Sequence, residues 1–229
     1  MREEALNEVA EAIAELHGRA RLVVVHGGGS YGHYAVQRAG NSVKTLVASV
    51  SYWMAVLNTL VVSALHRWGV PAVCLPTWAI AHRAGDDLHV EERLVRGLLE
   101  IGAVPVTHGG LIYSKSSSAF EILSGDTLAC ELAIKLPAST LIFLMDVEGV
   151  YTEDPRVSRS AEFIKVLRRD DLQRVRGGSA GIDVTGGLLL KLREALRAAE
   201  RGVRVALGSV KELPAMAQGV EGRYTLVVP

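Results

Sequence analysis

Between residues 4 and 17 the apolar positions Ala5, Leu6, Val9, Ile13 and Leu16 recur at helical spacing, with Glu and Asn between them. That period predicts an amphipathic helix. Residues 22–25 are all apolar and run into His26-Gly27-Gly28-Gly29-Ser30. A short apolar run ending in glycines predicts a buried parallel strand that enters a tight loop. Residues 31–40 and 46–68 return to the helical period, and Gly69-Val70-Pro71 stops the second of these. A short strand is expected over 72–76, a helix over 88–101 ended by Gly102, and a strand over 103–107. The Gly- and Ser-rich stretch 108–121 reads as a loop or hairpin. Ser124-Gly125-Asp126 opens a helix that Pro137 closes, and 140–145 is a buried strand ending at Asp146. A turn over 148–151, a loop over 152–159 and a short helix over 170–176 follow. Gly186-Gly187 opens another helix, 203–207 is a strand, and 224–229 is a last edge strand.

Strands and helices alternate throughout, which predicts an α/β fold with a mostly parallel central sheet sandwiched between helices. A chain of 229 residues suits one domain with two lobes, about 1–136 and 137–229. In open α/β sheets ligands sit beyond the carboxyl ends of the strands. Gly27 to Ser30, Gly125-Asp126, Asp146 to Tyr151 and the start of the Gly187 helix all fall there.

Composition narrows the function classes. No apolar run reaches the ~18–20 residues of a membrane span, and the charged amphipathic start lacks the pattern of a secretory signal. The expected compartment is the cytoplasm, with no membrane partner. Net charge is zero and the pI is near 7.1, so no basic face for nucleic acid is expected. Cys74 and Cys130 have no Cys or His at metal-binding spacing and read as free thiols, and no protein-held metal is expected.

The glycine run carries the sharpest chemical signal. Three adjacent glycines after a strand permit positive φ and close backbone approach. Their N–H groups, with the following helix N-terminus, can wrap a phosphate; a tight strand-to-helix turn needs the same glycines. The spacing is neither that of a dinucleotide-binding fingerprint nor that of a P-loop. His33 stands one helical turn further on, where it can donate to a phosphoryl group. His66, His82, His89 and His108 lack such a setting and read as surface or core residues. Asp126 suits helix capping, or the orientation of cations that neutralise phosphate. Asp146 follows an apolar strand, so it stands at the ligand edge, where a carboxylate needs a partner or a ligand. Asp183-Val184-Thr185-Gly186-Gly187 precedes a helix with Lys191 about one turn inside it. A helix N-terminus with an inward Lys can cradle nucleotide phosphates; an ordinary capped helix with a solvated Lys has the same pattern.

In order, these pieces are HGGGSYGH, SGD before a helix, a strand closing in MDVEGVYTEDPR, and DVTGG with Lys191. The sequence resembles the amino-acid-kinase superfamily over residues 22–210. Within it, the His after the glycine loop and the DVTGG-x3-K element are similar to the isopentenyl phosphate kinases. The resemblance implies an amino-acid-kinase-like three-layer fold, an acceptor lobe over about 1–136 and a nucleotide lobe over 137–229. It implies transfer of the ATP γ-phosphate to isopentenyl phosphate, with Mg2+ accompanying ATP, and a homodimer. By position, Gly28, Gly29, Ser30 and Gly125 would hold the acceptor phosphate, and His33 would donate to it. Asp126 would organise the phosphate-binding lysines. Asp146, Gly149, Val150, Tyr151 and Pro155 would line the ATP site, and Gly187 and Lys191 would bind its phosphates. The catalytic set would be His33, Asp126 and Lys191, and the apolar helix over 46–68 would wall the isoprenoid tail. Other acceptors used in the superfamily are a carboxylate, carbamate, a nucleoside monophosphate or a phosphonate. Gly109-Gly110 stands where the family commonly has Gly-Asp. The family also begins with a strand bearing Lys and Gly-Gly-Ser, a unit of roughly 25–30 residues, whereas this sequence starts at the following helix. That departure implies either an upstream segment that completes the site or a nucleotide-binding chain impaired in catalysis.

Overall fold

The computed structural model describes residues 3–40, 42–175 and 187–229. They form two compact units, Met1–Leu132 and Ala133–Pro229. The first opens with helix α1 (Glu3–Leu16), strand β1 (Val24–His26), α2 (Gly29–Ala39) and α3 (Val43–Arg67). It continues through β2 (Ala72–Cys74), the short α4 (Thr77–Ile80), β3 (Ala81–Ala84), β4 (Asp87–Val90) and α5 (Glu92–Glu100). Strands β5 (Val104–His108), β6 (Gly110–Ser114) and β7 (Ala119–Leu123) follow, and α6 (Gly125–Lys135) runs across the division in the chain. The second unit holds β8 (Thr140–Leu144), β9 (Val150–Tyr151), β10 (Phe163–Ile164) and β11 (Val166–Leu167). It ends with α7 (Gly187–Glu200), β12 (Arg204–Gly208), α8 (Leu213–Gln218) and β13 (Thr225–Val227).

In the first unit β5 is flanked on both sides by parallel partners, in the order β1-β5-β2. All of its residues are buried, as a central parallel strand requires. Helix α3 packs against α1, α2, β2, β5 and β6. Its start is capped by the Ser42 hydroxyl, which accepts the Thr45 N–H at 3.3 Å. From Thr45 to Leu65 it carries no charged side chain. By length and composition it is apolar enough to cross a membrane, which corrects the expectation that no run is. Asn58 interrupts the hydropathy in sequence, but in the fold its amide donates to the Val106 carbonyl at 3.2 Å. Met54, Leu57, Val62, Ala64 and Leu65 are core residues.

The hairpin β3–β4 occupies 81–90, so the helix expected from 88 begins only at Glu92. Gly85 at φ +65° makes the two-residue turn between Ala84 and Asp87, a local hairpin signal that helical spacing concealed. The ambiguous stretch 108–121 is a hairpin strand pair, β6–β7, joined to β3 in the order β4-β3-β6-β7.

The second unit's main sheet has the order β11-β13-β12-β8. The last strand is therefore interior, not at an edge: β13 runs parallel to β11 and antiparallel to β12. Thr225 explains its position. Its hydroxyl accepts the Val150 N–H at 2.8 Å and donates to the Ile164 carbonyl at 2.6 Å, tying three strands through one fully buried side chain. Replacing it by Val would strand two buried backbone groups, at a cost of about 2–3 kcal/mol. Urea unfolding of Thr225→Val should show that loss, and Thr225→Ser should restore most of it. Equal stability of the Val variant would refute the role.

Candidate active site

Two groups of residues stand out, one in each unit. In the first, β1 and β5 end side by side with His26 opposite His108. The His26 carbonyl accepts the Gly109 N–H at 2.9 Å. A Cβ added at Gly125 would lie 3.2 Å from that same carbonyl, and one at Gly109 would lie 2.6 Å from the Gly125 nitrogen. Only glycine permits this approach, so three distant chain segments meet backbone to backbone. Two helices start at the junction, α2 at Gly29 and α6 at Gly125. Each directs the positive end of its dipole there, a favourable setting for an anion.

The expected residues of this unit collect there. Gly28 leaves no room for a side chain, since a Cβ would meet Gly32 at 3.0 Å and the Met54 sulfur at 3.3 Å. Gly29 has φ +48°, which favours glycine. Gly29, Ser30 and His33 are exposed at the start of α2. Asp126 lies in the first turn of α6, but the capping role falls to Ser124, whose hydroxyl accepts the Asp126 N–H at 3.2 Å. Tyr31 and Tyr34 meet Trp53 edge-on, with ring centroids 6.0 and 5.1 Å away. Tyr31 and Trp53 pack with Val50, Met54, Leu57 and Leu111 in one apolar cluster.

Sequence reading passed over the histidines beneath that loop. His26 Nδ1 lies 2.9 Å from the Gly27 carbonyl and Nε2 lies 3.4 Å from Asn58 Oδ1. His108 is buried; its Nδ1 lies 2.8 Å from the Gly109 carbonyl and 3.1 Å from the Thr77 hydroxyl. Thr77 in turn donates to the His108 carbonyl. The two rings are 5.4 Å apart. A signal was available: VVVHG and VPVTHG are two apolar strands with the same His-Gly ending.

In the second unit Asp146 follows β8, and the neighbouring Met145 N–H donates to the Gly208 carbonyl at 2.8 Å. Gly149 is pressed against Thr225, where a Cβ would stand 2.6 Å from Oγ1. Val150 is buried on β9. The Tyr151 hydroxyl donates to Glu148 at 2.9 Å and its ring meets Phe163 edge-on. Glu148's own backbone N–H and that hydroxyl hold its carboxyl below the usual range. Pro155 follows Asp154, which Arg156 grips at 2.9 and 2.8 Å and holds down to about 2. Gly187 opens α7 at φ +59°, and Lys191 Nζ lies 4.8 Å from the centre of the Phe143 ring. The Asp183-Val184-Thr185-Gly186 part of the expected element lies outside the described residues. Among the described residues, no three His, Cys, Asp or Glu side chains gather as a metal site would require.

A strand-end glycine loop with two helix N-termini, and a second unit carrying Lys191 on α7, fit a phosphoryl-transfer protein. Residues 2–209 match the amino acid kinase family. The chain belongs to that family and is a phosphotransferase. It is 36% identical over 210 residues to an isopentenyl phosphate kinase of Methanothermobacter thermautotrophicus, covering 84% of this chain and 79% of that one. It is 30% identical over 227 residues to a glutamate 5-kinase of an Azoarcus strain, covering 95% of this chain and 60% of that one. A solved isopentenyl phosphate kinase structure superposes with a TM-score of 0.82 at 27% identity, covering 99% of this chain and 91% of that one.

Burial pushes the His108 imidazole down to about 4 from 6.5 and lowers His26 as well. Between those folded values and 6.5 the unfolded chain binds more protons. Stability is therefore full above pH 6.5 and is lost as pH falls towards about 4, with about 3 kcal/mol at stake for His108. Unfolding curves at pH 7 and 4.5 should differ less for His108→Gln than for the parent protein. An unchanged difference would contradict the buried neutral imidazole.

Proposed function

We propose that the protein phosphorylates isopentenyl phosphate with ATP, yielding isopentenyl diphosphate and ADP. The observation that carries this is His33, exposed one turn into α2 after the Gly27–Gly29 loop. A similarity of 36% identity to an isopentenyl phosphate kinase supports it. A terminal oxygen of the acceptor phosphate attacks the γ-phosphorus while the bond to the β–γ bridging oxygen breaks. Catalysis is then mostly positioning and charge neutralisation.

Gly28, Gly29, Ser30 and Gly125 hold the acceptor phosphate through N–H donors at the starts of α2 and α6. His33 donates to that phosphate or to the group in transfer. Asp126 orders the cations around it. Asp146, Gly149, Val150, Tyr151 and Pro155 line the nucleotide site. Gly187 and Lys191 take the β- and γ-phosphates, and Mg2+ rides on ATP to offset their charge. The apolar side chains of α3 face a tail that offers nothing to hydrogen-bond. The protein works in the cytoplasm as a homodimer, with no nucleic-acid or membrane partner.

The likeness to a glutamate 5-kinase favours a second reading, with a carboxylate acceptor. ADP release measured with isopentenyl phosphate and with glutamate separates the two. Turnover with the first and little with the second is expected, and the reverse order would overturn the assignment. His33→Ala should lower kcat about 10²-fold, the scale of losing one transition-state donor, with KM for ATP unchanged. Lys191→Met should raise KM for ATP.

A further inference from the structure

The glycine loop is held by a side chain that the proposed chemistry does not use. His26 Nδ1 lies 2.9 Å from the carbonyl oxygen of Gly27, the next residue. With its proton on Nδ1 the ring donates there and draws that carbonyl towards itself. No peptide bond in the described chain is cis. In a trans peptide the C=O and the following N–H point in opposite directions. Pinning the Gly27 carbonyl onto the ring therefore turns the Gly28 N–H away from the ring, out of the loop.

Two side chains border the ring. Asn58, 2% exposed in the middle of α3, donates to the Val106 carbonyl at 3.2 Å and sets its Oδ1 3.4 Å from His26 Nε2. On the other side the His108 ring leans against it at 5.4 Å, itself fixed through Nδ1 to the Gly109 carbonyl. A backbone donor that must meet a phosphate oxygen within a few tenths of an ångström gains most from such support.

We propose that His26 is a positioning residue that aims the Gly28 N–H at the acceptor phosphate, with Asn58 and His108 beside the ring. This rests on the reading of the Gly27–Gly29 loop as the acceptor-phosphate cradle and names the device that orients it. His26 itself touches no substrate. The adjacent His108 performs the same carbonyl-pinning at Gly109 and keeps the neighbouring turn in register.

The test is an orthophosphate titration of 15N-labelled full chain, read at the Gly28 and Gly29 amides. The parent protein's Gly28 amide should shift with phosphate. His26→Leu, similar in size but without a donor, should weaken that response by roughly tenfold or more, the value of one hydrogen bond to a charged group. His26→Asn, whose Nδ2 falls near the imidazole Nδ1, should recover to within about threefold. Should the Leu variant fail to fold by its amide dispersion, His26→Gln replaces it, since its amide reaches only the Nε2 position. An unchanged response in the Leu or Gln variant overturns the proposal. So does an Asn variant as weak as the Leu variant, or a parent Gly28 amide indifferent to phosphate. Isopentenyl phosphate turnover is scored separately. Absence of turnover with an intact, His26-dependent phosphate response would remove the substrate assignment and leave the positioning role standing.

Discussion

The hydrogen bond from the Gly109 N–H to the His26 carbonyl, 2.9 Å long, joins the ends of β1 and β5 where Gly125 also touches down. The first unit's chemistry depends on that contact. It is possible only because Gly109 and Gly125 lack side chains. Because the three backbones meet, α2 and α6 begin at one place, and their N-terminal N–H groups and dipoles act on one volume. Each end alone is worth about 0.3–2 kcal/mol towards an anion. In the proposed function the two ends form the cradle of a doubly charged phosphate, to which His33 adds a donor.

The second unit solves a different problem by similar means. Glycines at 149 and 208 let the Glu148 turn close down on β12 and β13. Thr225 locks the turn to the sheet by bonding β9 and β10 at once. The result fixes the residues after β8, with Asp146 at the strand's carboxyl end and Lys191 on α7 over the Phe143 ring. Rigid strand ends bearing short loops are what positioning catalysis requires, since phosphoryl transfer asks the protein for placement and charge more than for covalent chemistry.

Local patterns made half of this legible in the sequence. The glycine run after an apolar strand, Ser124-Gly125-Asp126 before a helix, and Asp146 at the end of 140–145 are each encoded within a few residues, and the fold places them at strand and helix ends. What escaped depends on long-range pairing. The β3–β4 hairpin took the first residues of an expected helix because His82 and Arg83 pair with Tyr113 and Ser114 of β6. The last strand became interior because β11 pairs with it from sixty residues away, and its burial hides in a short apolar run. His108 was readable only as surface or core, and the partnership of His26, Asn58 and His108 spans α3, β1 and β5, which no window of sequence contains.

The most direct measurement is a crystal structure of the protein with isopentenyl phosphate. The account predicts phosphate oxygens at ~2.7–3.1 Å from the Gly28 and Gly29 nitrogens, the distance of a working oxyanion donor, with the start of α6 on the other side. It also predicts the tail against Trp53 and Met54. A phosphate seated away from the β1–β5 strand ends, with those amides left in solvent, would contradict it.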